Sequence, residues 1–202
     1  MIVVSSLLLS IRSKLGDTDI TSQRYSDAEI IDSINDALAV LSEELLCFSR
    51  TWSISCKDCV TRYALPADFL KPISLKFNSK EILNIVSVES QAQNNCTFAA
   101  SYDLQTVHLY LPEIKEKDKI ELYYNYSETV STKDESIPLP NNAKEIIVNY
   151  VLHLLYQNPI KKDGLQRSSY FYNLYEKKLI TFRSRVKMNA QSKNIKTTFT
   201  RV

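Results

Sequence analysis

The sequence predicts an α+β chain: a four-helix bundle built from the two chain ends, an inserted antiparallel β domain and an extended C-terminal arm. Three observations carry this reading. Apolar residues recur at three- and four-residue steps only near the two ends. From Thr51 the period changes to two, with Trp52, Ile54 and Cys56 alternating with Thr51, Ser53 and Ser55. Beyond Met188 the amphipathic pattern stops. The expected boundaries are 1–50 and 141–187 for the bundle, 51–136 for the β domain and 188–202 for the arm.

The organising stretch is Ser26 to about Phe48. Ser26 followed by Glu29 is a capping box, in which each side chain satisfies an orphan N–H at the helix start. Behind it Ile30, Ile34, Leu38, Leu41 and Leu45 form one stripe, and Asp32, Asp36, Glu43 and Glu44 fall largely off it. Such a helix would be roughly 35 Å long and needs partner helices to cover its stripe. An earlier helix over Val3–Leu15 ends at Gly16, a C-cap residue. The opening MIVVSSLLLS lacks a basic segment before its apolar run, which favours an amphipathic helix over a signal peptide.

In the middle, CKDC reads as a hairpin tip between strands at Thr51–Cys56 and Val60–Leu65. Short strands are expected near Pro72–Phe77, Ile82–Glu89, Val107–Leu111 and Lys119–Tyr126, the last two joined as a hairpin by the charged EIKEKD. The polar run 90–100 reads as a loop, and Pro66 and Pro72 suit edges and bends. Asn141 or Asn142 is a cap for a helix reaching Gln157, with Ile146, Ile147, Tyr150, Val151, Leu154 and Leu155 as its core face. Asn158-Pro159 ends it, and a second helix over 165–187 carries Tyr172, Tyr175, Leu179, Phe182 and Val186 at 3-4-3-4 spacing.

Composition narrows the chemistry. The chain has 202 residues, 24% of them charged, and only two glycines, so neither GxGxxG nor a Walker A loop is present. No apolar run approaches the roughly 20 residues of a membrane helix, and no membrane partner is expected. Cys56-Lys57-Asp58-Cys59 has the form of a redox or zinc motif. It lies between strand patterns rather than at a helix start, and no second CxxC completes a zinc site, so an incidental role is expected. His108 and His153 have no neighbouring nucleophile motif. The chain therefore reads as no enzyme, with no cofactor, catalytic residue or metal. Tyr170, Phe171, Tyr172 and Tyr175 could stack on bases, but their helical spacing favours a packed aromatic core.

Charge is the strongest functional signal. The net charge of +2 hides an asymmetry: residues 1–50 hold 4 Lys/Arg and 8 Asp/Glu, 51–140 hold 9 and 12, and 141–202 hold 12 and 3. After Glu176 come eight cations and no acid. An acidic front and a basic back attract each other, which a symmetric assembly can exploit. The basic end reads as an arm that docks on an acidic partner. Its residues are Arg183, Arg185, Lys187, Lys193, Lys196 and Arg201, with Ile195 and Phe199 as apolar anchors. The alternative is a nucleic-acid-binding module using the basic C-terminal helix and tail.

Several segments together resemble a known family. They are the helix ending in KLGDTD, RYSDAEIIDSINDALAVLSEEL, the strand entry YALPADFLKPISLKF, IPLPNNAKEIIVNYVLHLLYQ and the aromatic FYNLYEKKLITF. In this order the chain resembles the head-to-tail adaptor (connector) proteins of short-tailed phages. The resemblance implies a structural virion protein of the neck or tail, assembled in the host cytoplasm. It implies a ring, dodecameric in the family, beneath the portal protein. Such a ring joins the portal to tail and nozzle proteins and lines part of a DNA exit channel without sequence-specific contacts. It also implies that the C-terminal segment reaches the portal.

Overall fold

The computed structural model describes residues 1–19, 21–82, 85–88, 100–103, 105–110, 114–157 and 164–192. Among these residues the chain is mixed α/β, with four α-helices and mainly antiparallel sheets. The chain divides into two compact units, one made of Met1–Val40 with Thr129–Val202 and the other of Leu41–Glu128.

In the first unit, β1 (Ile2–Val3) pairs antiparallel with β10 (Ser136–Ile137). Helix α1 (Val4–Leu15) follows directly and has no side-chain cap. Its first N–H groups are satisfied by backbone instead: Val4 N donates to Glu135 O (3.0 Å) and Ser5 N to Lys133 O (2.9 Å). Val4, Leu7, Leu8, Ile11 and Leu15 are buried. Gly16 ends the helix in the left-handed region (φ 66°), as the sequence suggests, and its N–H reaches Ser13 O.

The loop to the next helix is held by a buried cation. Arg12 donates to the Asp17 carboxylate (3.1 Å), to Tyr25 O (3.1 Å) and to the Asp27 carboxylate. Arg12 and Asp17 are only 7% and 3% exposed. Asp17 also accepts from the backbone N–H of Arg24. A charge this deep is tolerated because each polar atom finds a partner.

Helix α2 (Asp27–Leu45) opens with the expected capping box: Glu29 N donates to Ser26 Oγ (3.2 Å), and Ser26 N donates back to Glu29 Oε2 (2.7 Å). Ile30, Ile34, Ala37 and Leu38 are fully buried. Asn35 clamps the helix to a distant segment, donating to Val130 O (2.9 Å) and accepting from Val130 N (2.8 Å). The helix stops three residues before Phe48, because Leu46, whose N–H makes a last helical bond to Ser42 O, turns to φ 47° and leads the chain away.

Helix α3 (Lys144–Tyr156) is entered through a 3-10 turn at Asn141–Ala143. Neither Asn141 nor Asn142 supplies the expected cap; Pro140 precedes the turn and Ala143 precedes the helix, both without a side-chain cap bond. Proline fixes φ near its helical value, so the turn starts without one. Helix α4 (Gly164–Ser192) packs extensively on α3, and α1 packs on α3 from another side. Tyr25 Oη donates to Leu155 O (2.7 Å), which ties the loop before α2 to the end of α3. Helix α4 runs past the expected end at Lys187. Its last segment, MNAQS, contains no Gly or Pro and good helix formers, so nothing stops it where the arm was expected to begin.

The second unit holds two four-stranded sheets. One has the order β2 (Ser49–Ser55), β9 (Lys119–Tyr126), β4 (Phe69–Phe77), β5 (Lys80–Ile82). The other has the order β3 (Arg62–Ala64), β8 (Thr106–Leu109), β7 (Ala100–Tyr102), β6 (Ile85–Ser87). All pairs are antiparallel except β6–β7, which is parallel. The predicted hairpins are not formed. β2 pairs with β9 rather than with β3, and β8 pairs with β3 and β7 rather than with β9. CKDC and the segment 114–118 are therefore two crossings between the sheets, and they bind each other. Cys56 N donates to Asp118 O (2.8 Å), and Glu116 N donates to Asp58 Oδ1 (2.6 Å).

β9 is the central strand. Ile120, Leu122 and Tyr124 are buried on one face; in register Ile120 lies opposite Ile54, Leu122 opposite Trp52 and Leu75, and Tyr124 opposite Arg50 and Pro72. Pro72 sits inside β4, where it has β9 on one side only, since β5 pairs with Leu75–Phe77. The register shifts around Pro72 take up the missing donor. Short β7, in no expected strand, is covered on both faces of its sheet, since the neighbours Ala100 and Ser101 are both buried.

Two outcomes test this framework. Arg12→Met strands the buried Asp17 carboxylate and should cost about 3 kcal/mol in urea unfolding, with R12M/D17N recovering part of the loss. Ser26→Ala should cost about 1 kcal/mol. The Ser26 backbone N–H, and then its hydroxyl, hold the Glu29 carboxyl below its ordinary value. Its contribution is thus full above the ordinary glutamate range and is lost as pH falls through the lowered value. Glu29→Gln should keep the cap and remove that acid sensitivity in melts taken across the acid range.

Candidate partner-docking surface

The basic side of the first unit is carried by α4. At 1.5 Å per residue this helix is about 44 Å long. Its buried stripe is Ser168, Tyr175, Leu179 and Phe182. Tyr172, predicted on that stripe, is 38% exposed, because it falls at the edge of the arc that α3 covers.

The aromatic residues mostly join α3 to α4. Phe171 stacks on Tyr156 (centroids 5.6 Å, planes 3° apart), and Tyr175 lies 4.8 Å from Tyr150. Burial pushes the Tyr175 hydroxyl up to about 12. Tyr170 alone of the four is largely exposed, at 59%. His153 belongs to the same seam. Ser168 Oγ donates to His153 O (3.1 Å), and His153 Nδ1 lies 2.8 Å from Ser168 Oγ. Gln157 Nε2 sits 2.9 Å from His153 Nε2, so the imidazole accepts there and carries its proton on Nδ1. The serine hydrogen thus points to a carbonyl and not to the ring, which is a helix tie rather than an activated nucleophile.

Near the start of α3 the surface opens into a cleft lined by Asn141, Asn142, Glu145, Lys178, Thr181 and Arg185, with Phe182 among its walls. Lys178 Nζ donates to Glu145 Oε2 at 2.6 Å. That hydrogen bond, with the lysine charge behind it, holds the Glu145 carboxyl below its ordinary value, and Lys14 adds to the effect. Arg185 is exposed on the rim. Thr181 and Ser184 turn their hydroxyls back onto the carbonyls of Lys177 and Ile180, leaving the helix surface to the cations.

Of the sequence-predicted docking residues, Arg183 and Arg185 lie on α4, one half-buried and one exposed. Lys187 is on the same helix. Lys193, Ile195, Lys196, Phe199 and Arg201 lie outside the described residues. The sequence missed the Glu145–Lys178 pair and the place of Asn141 and Asn142 beside Arg185. These residues are far apart in the chain, and only the α3–α4 packing brings them together.

The cysteine motif is dispersed by its own turn. Cys56 is buried, its thiol pushed up by burial, while Cys59 is exposed with φ 59°. Burial also pushes the Cys47 thiol up to about 11. His108 lies with its ring 4.4 Å from that of Tyr110. Among the described residues no cluster of three His, Cys, Asp or Glu side chains is placed to hold a metal ion. No described helix is long and apolar enough to cross a membrane.

The sequence model of a family described as SU10 adaptor protein matches residues 4–196. None of the curated proteins compared with the chain matches it. The family match takes in the four described helices and both four-stranded sheets, and it agrees with the adaptor resemblance carried by the helix and strand-entry segments. The chain belongs to the SU10 adaptor protein family.

Proposed function

We propose that this phage structural protein is a head-to-tail adaptor that assembles as a ring, of twelve copies as in the connector family it resembles, beneath the portal protein. In this reading the ring joins the portal to tail and nozzle proteins in the neck of the virion and is assembled in the host cytoplasm. It lines part of the DNA exit channel without reading sequence. The four helices act as one bundle, the two sheets form a separate inserted domain, and the segment after α4 is the docking arm. The carrying observation is the family match over residues 4–196. The run of eight cations after Glu176, unbroken by an acid, supports an acidic partner for the C-terminal end. Arg183, Arg185, Lys187, Lys193, Lys196 and Arg201 would supply the charge, and Ile195 and Phe199 the apolar anchors.

The same cations favour one second reading, a nucleic-acid-binding module. Lys177 and Arg185 are exposed on α4, and Tyr170 offers an exposed ring for stacking. The two readings differ in what the tail does. Removing residues 193–202 should abolish co-sedimentation with the portal protein and leave the helical signal and melting temperature unchanged. Undiminished attachment would remove the arm from the mechanism. Tight duplex DNA binding that weakens steeply with salt would favour the second reading instead.

A further inference from the structure

Helices α2 and α4 have opposite and nearly unmixed charge. Helix α2 carries Asp27, Glu29, Asp32, Asp36, Glu43 and Glu44 and not one Lys or Arg. Helix α4 carries Arg167, Lys177, Lys178, Arg183, Arg185 and Lys187 against a single acid, Glu176. Much of this charge is already used within the chain: Asp27 pairs with Arg12, Glu29 caps Ser26, and Lys178 pairs with Glu145. The exposed charges without an ion-pair partner among the described residues include Asp32, Asp36 and Glu43 on α2, and Arg167, Lys177 and Arg185, with the one acid Glu176, on α4.

Their spacing is that of packing ridges. Asn173, Lys177, Thr181 and Arg185 follow one another at four-residue steps and are all exposed. Ala28, Asp32, Asp36 and Val40 do the same on α2, with Val40 half-buried at its end. Four-step ridges are the rows that interdigitate in the commonest helix–helix packing. Beside the α4 ridge stands Ile180, 62% exposed, and beside the α2 ridge the small exposed Ala39 leaves room for a branched side chain.

We infer that the occupant of the α4 ridge is the α2 ridge of a second copy of this chain. Lys177 and Arg185 meet Asp32 and Asp36, and Ile180 is buried against the alanine-bearing flank. A two-fold contact of α4 on α4, or α2 on α2, would set like charges together. The favoured contact therefore sets α4 of one copy on α2 of another, and in the ring reading it is heterologous, each copy passing the contact on to the next. A heterologous contact builds a ring when its rotation closes. The inference rests on the ring reading above and names the two faces that such a ring would use. DNA is the poorer occupant, since the same unit presents the acidic α2.

Charge exchange tests it. The variants D32K/D36K and K177E/R185E alter only exposed, unpaired side chains, so both should fold; circular dichroism checks this. Sedimentation velocity reads assembly of the full chain alone and, for wild type and D32K/D36K, with the portal protein; K177E/R185E is read alone and in the mixture, because Arg185 is also among the proposed docking charges. Each variant alone should need a protein concentration higher by about tenfold or more to assemble. An equimolar mixture should assemble again, because each basic α4 then finds an acidic α2 and each reversed pair finds its complement. Wild-type assembly should weaken with salt. If either variant alone assembles like the wild type, or the mixture stays dispersed, these faces are not the interface, although the ring reading survives. If the wild-type chain assembles neither alone nor on the portal, both fall. Binding of duplex DNA by wild type that K177E/R185E abolishes, with self-assembly unchanged, would assign the α4 ridge to nucleic acid and overturn the inference.

Discussion

The first unit depends on one buried cation. Arg12 stands in the last turn of α1, yet its guanidinium reaches forward to Asp17, Tyr25 O and Asp27. Its planar fork serves three acceptors, which a lysine's single ammonium, at the end of a flexible stem, would not hold in the same plane. The connection between α1 and α2 is thereby fixed at both ends. The direction in which α2 departs follows from that, and so does the meeting of Asn35 with Val130. Burial of a lone arginine would be prohibitive; burial with its partners defines a unique geometry for a loop that has little apolar content of its own.

Legibility followed the range of the interactions. Helices α1 and α2 were plain because their signals are local: an apolar stripe, a capping box, a terminal glycine. The strands were mostly found, but their partners were not. Alternation states that Trp52 and Ile54 share a face, and is silent on whether β9 or β3 lies beside them. CKDC looked like a hairpin tip because hairpins are the commonest connection between adjacent strands. Here the chain changes sheets at that point, and the mutual hydrogen bonds of Cys56, Asp58, Glu116 and Asp118 add to the turn's own bond from Val60 N to Lys57 O. Pro72 was read as a marker of an edge. It lies in a strand paired on both sides, though not at its own position.

The candidate surface shows the same division. A run of cations can be counted in the sequence, and so can the acid-only composition of α2. Which of those charges are already neutralised cannot be counted. Glu145 and Lys178 are separated by the whole α3–α4 turn, and Asp27 is taken by an arginine from the preceding helix. Once these pairs are removed, Asp32, Asp36, Lys177 and Arg185 are among the charges left unspent.

The division of the chain into one contiguous and one discontinuous unit has a consequence for biogenesis. Leu41–Glu128 emerges from the ribosome as an unbroken run and has its strand partners complete within itself. Met1–Val40 emerges first but is finished last. The start of α1 needs Lys133 and Glu135, the clamp on Asn35 needs Val130, and the apolar face of α1 needs α3. During synthesis Val4, Leu7 and Ile11 therefore wait in water for residues made much later. The six carboxylates of α2 carry a second benefit in that interval. Copies of the same nascent segment on neighbouring ribosomes repel one another, which protects an unfinished apolar stripe from finding the wrong partner.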